Sequence, residues 1–121
     1  MAEEKGVVNE NLEAVLSIEL ADGASIDCVL DTGFNGNLIL PKNFVQAHSQ
    51  AIPISVQVKL AEGKIAEVGM TTIEIKWLGS EFPVNILVSE TDESLIGTEL
   101  LIGSVLEIDY KNLTVKLQND C

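Results

Sequence analysis

Cys28-Val29-Leu30-Asp31-Thr32-Gly33-Phe34-Asn35-Gly36 carries an apolar strand straight into an Asp-Thr-Gly turn, and a second apolar run, Leu38-Ile39-Leu40, follows at once. A carboxylate at the end of an apolar strand is costly to ionise without partners. A Ser or Asn would turn the chain without that cost. Gly33 and Gly36 point to a backbone with unusual dihedrals, or to something that approaches it closely. Asp31 therefore has two readings: the working group of a site, or a residue that only caps its own turn through an Asx-type hydrogen bond.

Upstream, Leu12, Ala14, Leu16, Ile18 and Leu20 alternate with Glu13, Ser17 and Glu19, the period of a half-buried strand. Ala21-Asp22-Gly23 is a turn signal, and Ala24, Ile26, Cys28 and Leu30 resume the alternation. Residues 12–30 thus read as a hairpin that delivers Asp31 at its end. Residues 1–11 are polar and are expected to form a flexible arm.

Downstream, Pro41 opens a short helix in which Phe44, Val45 and His48 fall at helical spacing. His48, the only histidine, is expected to face solvent. Ile54, Val56, Val58 and Leu60 form a strand, Ala61-Glu62-Gly63-Lys64 a turn, and Ile65 to Trp77 a long return strand in which Gly69 is expected to mark a bulge. This hairpin is either ordinary sheet or a lid. Leu78-Gly79-Ser80 turns into Phe82, Val84, Ile86 and Val88. Ser89 to Glu93 is an acidic loop without the glycine and spaced ligands of a calcium site. Leu95-Ile96-Gly97 then leads into a short helix that Thr98 is placed to cap. A last hairpin joins Leu106, Ile108 and Tyr110 to Leu113, Val115 and Leu117. Short strands with regularly spaced turns, and one or two short helices, give an all-β barrel or sandwich.

The 121 residues are enough for one domain with one core, placed at residues 12–121. Hydrophobic residues make up 46% but aromatics only 4%, so that core is aliphatic. Nineteen acidic residues face seven lysines and no arginine, a net charge of -12. Such a balance argues against nucleic acid and against anionic membrane surfaces as partners. No stretch reaches the length of a membrane span, and the acidic opening Met1-Ala2-Glu3-Glu4-Lys5-Gly6 does not read as a secretory leader. Two distant cysteines, Cys28 and Cys121, make no disulfide framework, and Cys28 reads as a small buried hydrophobe. A reducing, cytoplasmic setting is expected. No metal ligands or cofactor motif appear.

A faint echo links Leu30-Asp31-Thr32-Gly33 to Leu95-Ile96-Gly97-Thr98: an apolar pair, then a turn with glycine and threonine, the second copy lacking the aspartate. With the glycine-bearing hairpin around Glu62-Gly63 between them, these stretches resemble the retropepsin-like aspartic proteases, over roughly residues 12 to 117. The form Leu-Asp-Thr-Gly-Phe-Asn-Gly looks more like the single-domain bacterial and archaeal proteins of that clan than the viral enzymes. Viral members usually have alanine where this chain has Phe34. They also carry an aspartate and an arginine, paired with each other, where this chain has Asn35 and Thr98. Its final hairpin is longer than their terminal strand, which implies a dimer interface built differently.

The resemblance implies an all-β, closed acid-protease barrel and a homodimeric aspartic endopeptidase acting on peptide or protein substrates without a cofactor. Asp31, Thr32 and Gly33 would be the catalytic turn, with Thr32 bonding across to the partner's loop and Gly33 presenting backbone to the substrate. Phe34, Leu60, Ala61, Glu62, Gly63, Lys64 and Ile65 would contact substrate, the last six as a flap. Leu95, Ile96 and Gly97 would support the turn from beneath. Peptide hydrolysis by carboxylates needs two that share one proton. One Asp-Thr-Gly per chain then requires a second copy, related by a two-fold axis. The rival is a module of the same fold that dimerises or binds peptides without cleaving them, since fold does not guarantee chemistry.

Overall fold

The computed structural model describes residues 2–49, 51–59 and 61–119. Its ten strands form one mixed sheet. They are β1 (Ala2–Val8), β2 (Ala14–Leu20), β3 (Ser25–Leu30), β4 (Leu38–Pro41), β5 (Ile54–Lys59), β6 (Ile65–Trp77), β7 (Ser80–Ser89), β8 (Leu95–Ile96), β9 (Ser104–Asp109) and β10 (Thr114–Asn119). A short helix, α1 (Lys42–His48), follows β4, and a 3-10 turn, Thr98–Leu101, follows β8. Leu60 and Cys121, both named above, lie outside the described residues.

Neighbouring strands run in the order β5-β6-β7-β4-β8-β3-β2-β1-β10-β9. β2 also pairs with β6, through Glu19↔Lys76 and Leu20↔Ile75, so the hydrogen-bonded path from β6 round to β2 closes on itself. β5 extends the ring on one side, and β1, β10 and β9 extend it on the other. Alternation along β2, β6 and β7 turns Leu16, Ile18, Leu20, Ile75 and Ile86 inward, where they meet Leu38, Leu40, Ile96 and Leu117 in an aliphatic core. Trp77, the single tryptophan, fits there because its indole N–H donates to the Leu100 carbonyl at 3.0 Å.

The expected flexible arm is in large part a strand. β1 pairs with β10 from Ala2↔Asn119 to Val7↔Thr114, and with β2 at Val7↔Val15 and Val8↔Ala14. Its polar composition hid this, because the bonds that hold it come from backbone far away in sequence. Glu4 adds a side-chain tie: its Oε2 accepts the Leu78 N–H at 2.9 Å in the turn between β6 and β7. Gly69 marks no bulge, since its pairing with Ser55 and Val88 is in register. Its missing side chain makes room instead, for a Cβ there would come within 3.2 Å of the Pro53 Cβ.

His48 is not simply solvent-facing. Half-buried at the end of α1, it packs its ring on Phe44 at 4.6 Å and brings Nδ1 within 3.0 Å of Asp22 Oδ2 in the β2–β3 turn. The Ala24 N–H, and then His48, hold the Asp22 carboxyl below the usual aspartate range. Nor does Thr98 cap its turn: Gly97 occupies the cap position with no side-chain bond.

Candidate active site

β3 ends at Leu30 and β4 begins at Leu38, so the Asp-Thr-Gly turn lies in the loop between them. The two stems of that loop do not pair with each other. The two residues of β8 lie between them, parallel to β3 (Val29↔Leu95, Leu30↔Ile96) and antiparallel to β4 (Leu38↔Ile96, Ile39↔Leu95). Leu95 and Ile96, expected beneath the turn, lie here between its two stems. The Asp31 N–H donates to the Ile96 carbonyl at 2.9 Å, which fixes where the carboxylate leaves the sheet.

Within the turn, the Gly33 N–H donates to Asp31 Oδ1 at 2.9 Å and the Phe34 N–H to the Asp31 carbonyl at 3.1 Å. The Asx-type bond is therefore present. It engages one carboxylate oxygen; among the described residues Oδ2 has no hydrogen-bond partner. The bond orients the group while leaving an oxygen open, so capping and chemistry do not compete. Asp31 is half-buried, and Thr32 and Gly33 are exposed.

The far limb of the loop is tied down by the segment after β8. The Gly97 N–H donates to the Asn37 carbonyl (2.8 Å), the Thr98 N–H to that of Phe34 (2.8 Å), and the Glu99 N–H to that of Gly36 (3.2 Å). A Cβ at Gly97 would collide with the Gly36 carbonyl oxygen and come within 2.7 Å of the Phe34 ring. Thr98 Oγ1 donates to Asn35 Oδ1 at 3.4 Å, a neutral contact at the two positions where the resemblance assigns viral members an ion pair. Phe34, expected to touch substrate, has its half-buried ring laid over Gly36 and Gly97. It closes over the loop that carries Asp31.

Asp31 and Thr32 open onto a groove of about 500 Å³. Its walls include Leu12, Val29, Leu30 and Leu95, with Glu13 and Glu93 at hand, and also Leu106, Ile108 and Tyr110 from the last hairpin. Sequence reasoning missed the last three as neighbours of the turn. Their apolar alternation marked a strand but carried no sign of where its open face would lie.

The expected flap is a hairpin, with β5 and β6 paired from Ile54↔Met70 to Lys59↔Ile65. Ala61–Gly63 forms its tip, with left-handed dihedrals at Glu62 (φ 65°) and Gly63 (φ 77°). Glu62, Gly63, Lys64 and Ile65 are exposed, and none of them lines the groove beside Asp31. Turn and tip are thus separate surfaces in one chain. Cys28 is buried and unpaired, and burial, with the Asp27 charge second, pushes its thiol up to about 12, so it is no nucleophile. Among the described residues, no three His, Cys, Asp or Glu side chains converge as a metal site would need.

No protein-family description and no curated protein sequence matches the chain. Solved structures do match. One is a retropepsin-like aspartic protease from Rickettsia conorii, similar over 97% of this chain and 90% of that one with a TM-score of 0.72 and 20% sequence identity. The fold is retropepsin-like.

Proposed function

From a retropepsin-like fold that holds one Asp-Thr-Gly turn per chain, we propose that the protein is a homodimeric aspartic endopeptidase. The observation that carries this is the half-open carboxylate of Asp31, held by Gly33 N–H through one oxygen and braced beneath by β8. Two such groups on a two-fold axis form a pair that shares a proton. One, ionised, takes a proton from a water that attacks the scissile carbonyl carbon. The other, protonated, donates to the carbonyl oxygen as the tetrahedral intermediate forms. Thr32 ties one turn to the other, and the hairpin tip at Ala61 to Ile65 closes over the peptide. The unpaired Cys28 and the acidic charge fit a reducing, cytoplasmic setting.

The test is Asp31→Asn. Asparagine keeps the size of the turn residue but cannot cycle the proton, so cleavage by the pure variant should vanish. After full subunit exchange of equal amounts with wild type, about a quarter of the dimers retain both aspartates. Activity at equal total protein should fall to about a quarter. A fall to a half would mean that each chain carries an independent site, and the shared-pair mechanism would be wrong.

A further inference from the structure

The loop of residues 31–37 between β3 and β4 carries one large apolar side chain, Phe34. The other positions hold Asp31, Thr32, Gly33, Asn35, Gly36 and Asn37, so only Phe34 can anchor the loop by apolar burial. Its ring is seated on two glycines, one in the loop and one outside it. A Cβ at Gly36 would come within 2.7 Å of Phe34 Cζ and 2.8 Å of Cε1, and a Cβ at Gly97 within 2.7 Å of Cδ2. The tip of the ring thus rests on the far limb of the loop, and its inner edge on the segment after β8. No side chain fits at position 36 or 97 while the ring holds this place.

A short main-chain path joins this anchor to Asp31. The Phe34 N–H donates to the Asp31 carbonyl at 3.1 Å, and the Phe34 carbonyl accepts the Thr98 N–H at 2.8 Å. Gly33, next to Phe34 in the chain, donates its own N–H to Asp31 Oδ1 at 2.9 Å. Glycine has soft backbone dihedrals, so nothing within Gly33 itself keeps that N–H on its target. The fixed position of Phe34 beside it does. Phe34 is also not among the residues that line the groove onto which Asp31 and Thr32 open. Its bulk lies against the support of the loop, not along the groove.

We infer that Phe34 is the positioning residue of the Asp31 carboxylate. Seated on Gly36 and Gly97, its ring holds the Gly33 N–H on Oδ1 and so keeps Oδ2 as the oxygen turned outward for chemistry. Without the ring, Asn35 and Gly36 free the limb beyond it, the Gly33 peptide turns, and the carboxylate loses its one fixed orientation. Phe34 thus acts on the reaction through Gly33 and Asp31, and makes no contact with substrate. The inference rests on the proposed protease reading for what the oriented carboxylate does, and on the geometry of the loop alone for the orientation.

Phe34→Ala, Phe34→Leu and Gly36→Ala test this, with kcat taken per folded molecule by circular dichroism. Phe34→Ala should lower kcat about a hundredfold, as a reacting group misplaced by about 1 Å does, and change KM less than about twofold. Its Gly33 amide proton should move upfield and exchange faster, while the amide of Ile18 in the core keeps its protection. Phe34→Leu keeps an apolar body on Gly97 and should recover most of kcat. Gly36→Ala drives a methyl into the ring and should displace the Gly33 amide without removing the anchor. Combined with Phe34→Ala, that methyl enters the space the ring has left, so the double variant should be no worse than Phe34→Ala alone. A raised KM with kcat unchanged would make Phe34 a substrate contact and overturn the assignment. Additive losses in the double variant, or a Gly33 amide unmoved in Phe34→Ala, would overturn it too. The outcomes separate it from the protease reading. If wild type cleaves no peptide, the protease falls and the Gly33 amide still decides the role of Phe34. If cleavage obeys the one-quarter rule while the Gly33 amide stays fixed in Phe34→Ala, the positioning role falls and the protease stands.

Discussion

Gly97 lies directly beneath Gly36, whose carbonyl oxygen occupies the space where any side chain at position 97 would begin. Through this contact the segment after β8 sets the height of the loop that carries Asp31, and the Glu99 N–H bond to the same carbonyl locks it at 3.2 Å.

Gly97→Ala should therefore lift Gly36 and displace the Phe34 ring. Overpacking of this kind costs roughly 1–3 kcal/mol, because backbone rather than a flexible side chain must give way. Urea denaturation should show that loss, and any cleavage activity should fall further than the lost stability accounts for, since the loop that moves is the one that holds Asp31. A variant as stable and as active as wild type would mean that Gly97 is not the support of the turn.

Gly63→Val should act differently. At φ 77° the tip glycine is in the left-handed region, where a β-branched residue is strained by about 1–2 kcal/mol, but a Cβ there meets nothing within 4 Å. The strain falls on the tip alone. Turnover of a peptide substrate should drop while dimerisation and the β signal in circular dichroism persist. Unfolding of this variant would show the tip to be essential to the sheet rather than a cover for the cleft.

Cleavage should be fastest at acidic pH. A pair of carboxylates that shares one proton loses its acid as pH rises, and the step that protonates the carbonyl oxygen is lost with it. The like charge of two chains at -12 each is also relieved as carboxylates protonate. A peptide-library profile with its maximum well above pH 7 would exclude this chemistry.

Glu4 gives a pH effect on stability alone. Burial raises its carboxyl above the usual glutamate value; the Leu78 N–H bond partly offsets this, and the Glu19 charge adds to it. The folded chain therefore holds that proton more tightly than the unfolded chain. The associated stability is fully present below the ordinary glutamate value and is lost as pH rises through the raised one. Glu4→Gln keeps an acceptor for Leu78 and removes the charge. Its melting temperature should exceed that of wild type at pH 7, and the gap should close below about pH 4. A variant less stable than wild type at pH 7 would show that the ionised Glu4–Leu78 bond outweighs its burial.

What could be read from the sequence was local. Val29-Leu30-Asp31-Thr32-Gly33 and Leu95-Ile96-Gly97 carry their strand-into-turn signature within a few residues, and the hairpins from Leu12 to Leu30 and from Ile54 to Trp77 announce themselves by alternation. What was illegible depends on partners distant in sequence. Ala2–Val8 reads as a polar arm because its partners are β10 and β2. Asp22 and His48 stand in separate elements and meet only after the β2–β3 turn folds against α1. The seat of the Phe34 ring over Gly36 and Gly97 depends on a glycine far down the chain. The hydrophobicity of Leu106, Ile108 and Tyr110 was plain, but their position beside Asp31 follows only from the path of β9.

The insertion of β8 between β3 and β4 also has a consequence for biosynthesis. During translation the chain emerges from its amino end, and the stems around Asp31 exist long before Leu95 and Ile96 are made. Until those two residues leave the ribosome, nothing spans the gap between Val29–Leu30 and Leu38–Ile39, and the turn has no support. Contacts between such widely separated residues are also slow to form, because the loop they close must be ordered first. A nascent or truncated chain without Leu95 and Ile96 thus carries Asp31 in an unassembled state, and the carboxylate is set in position only once those two residues are in place.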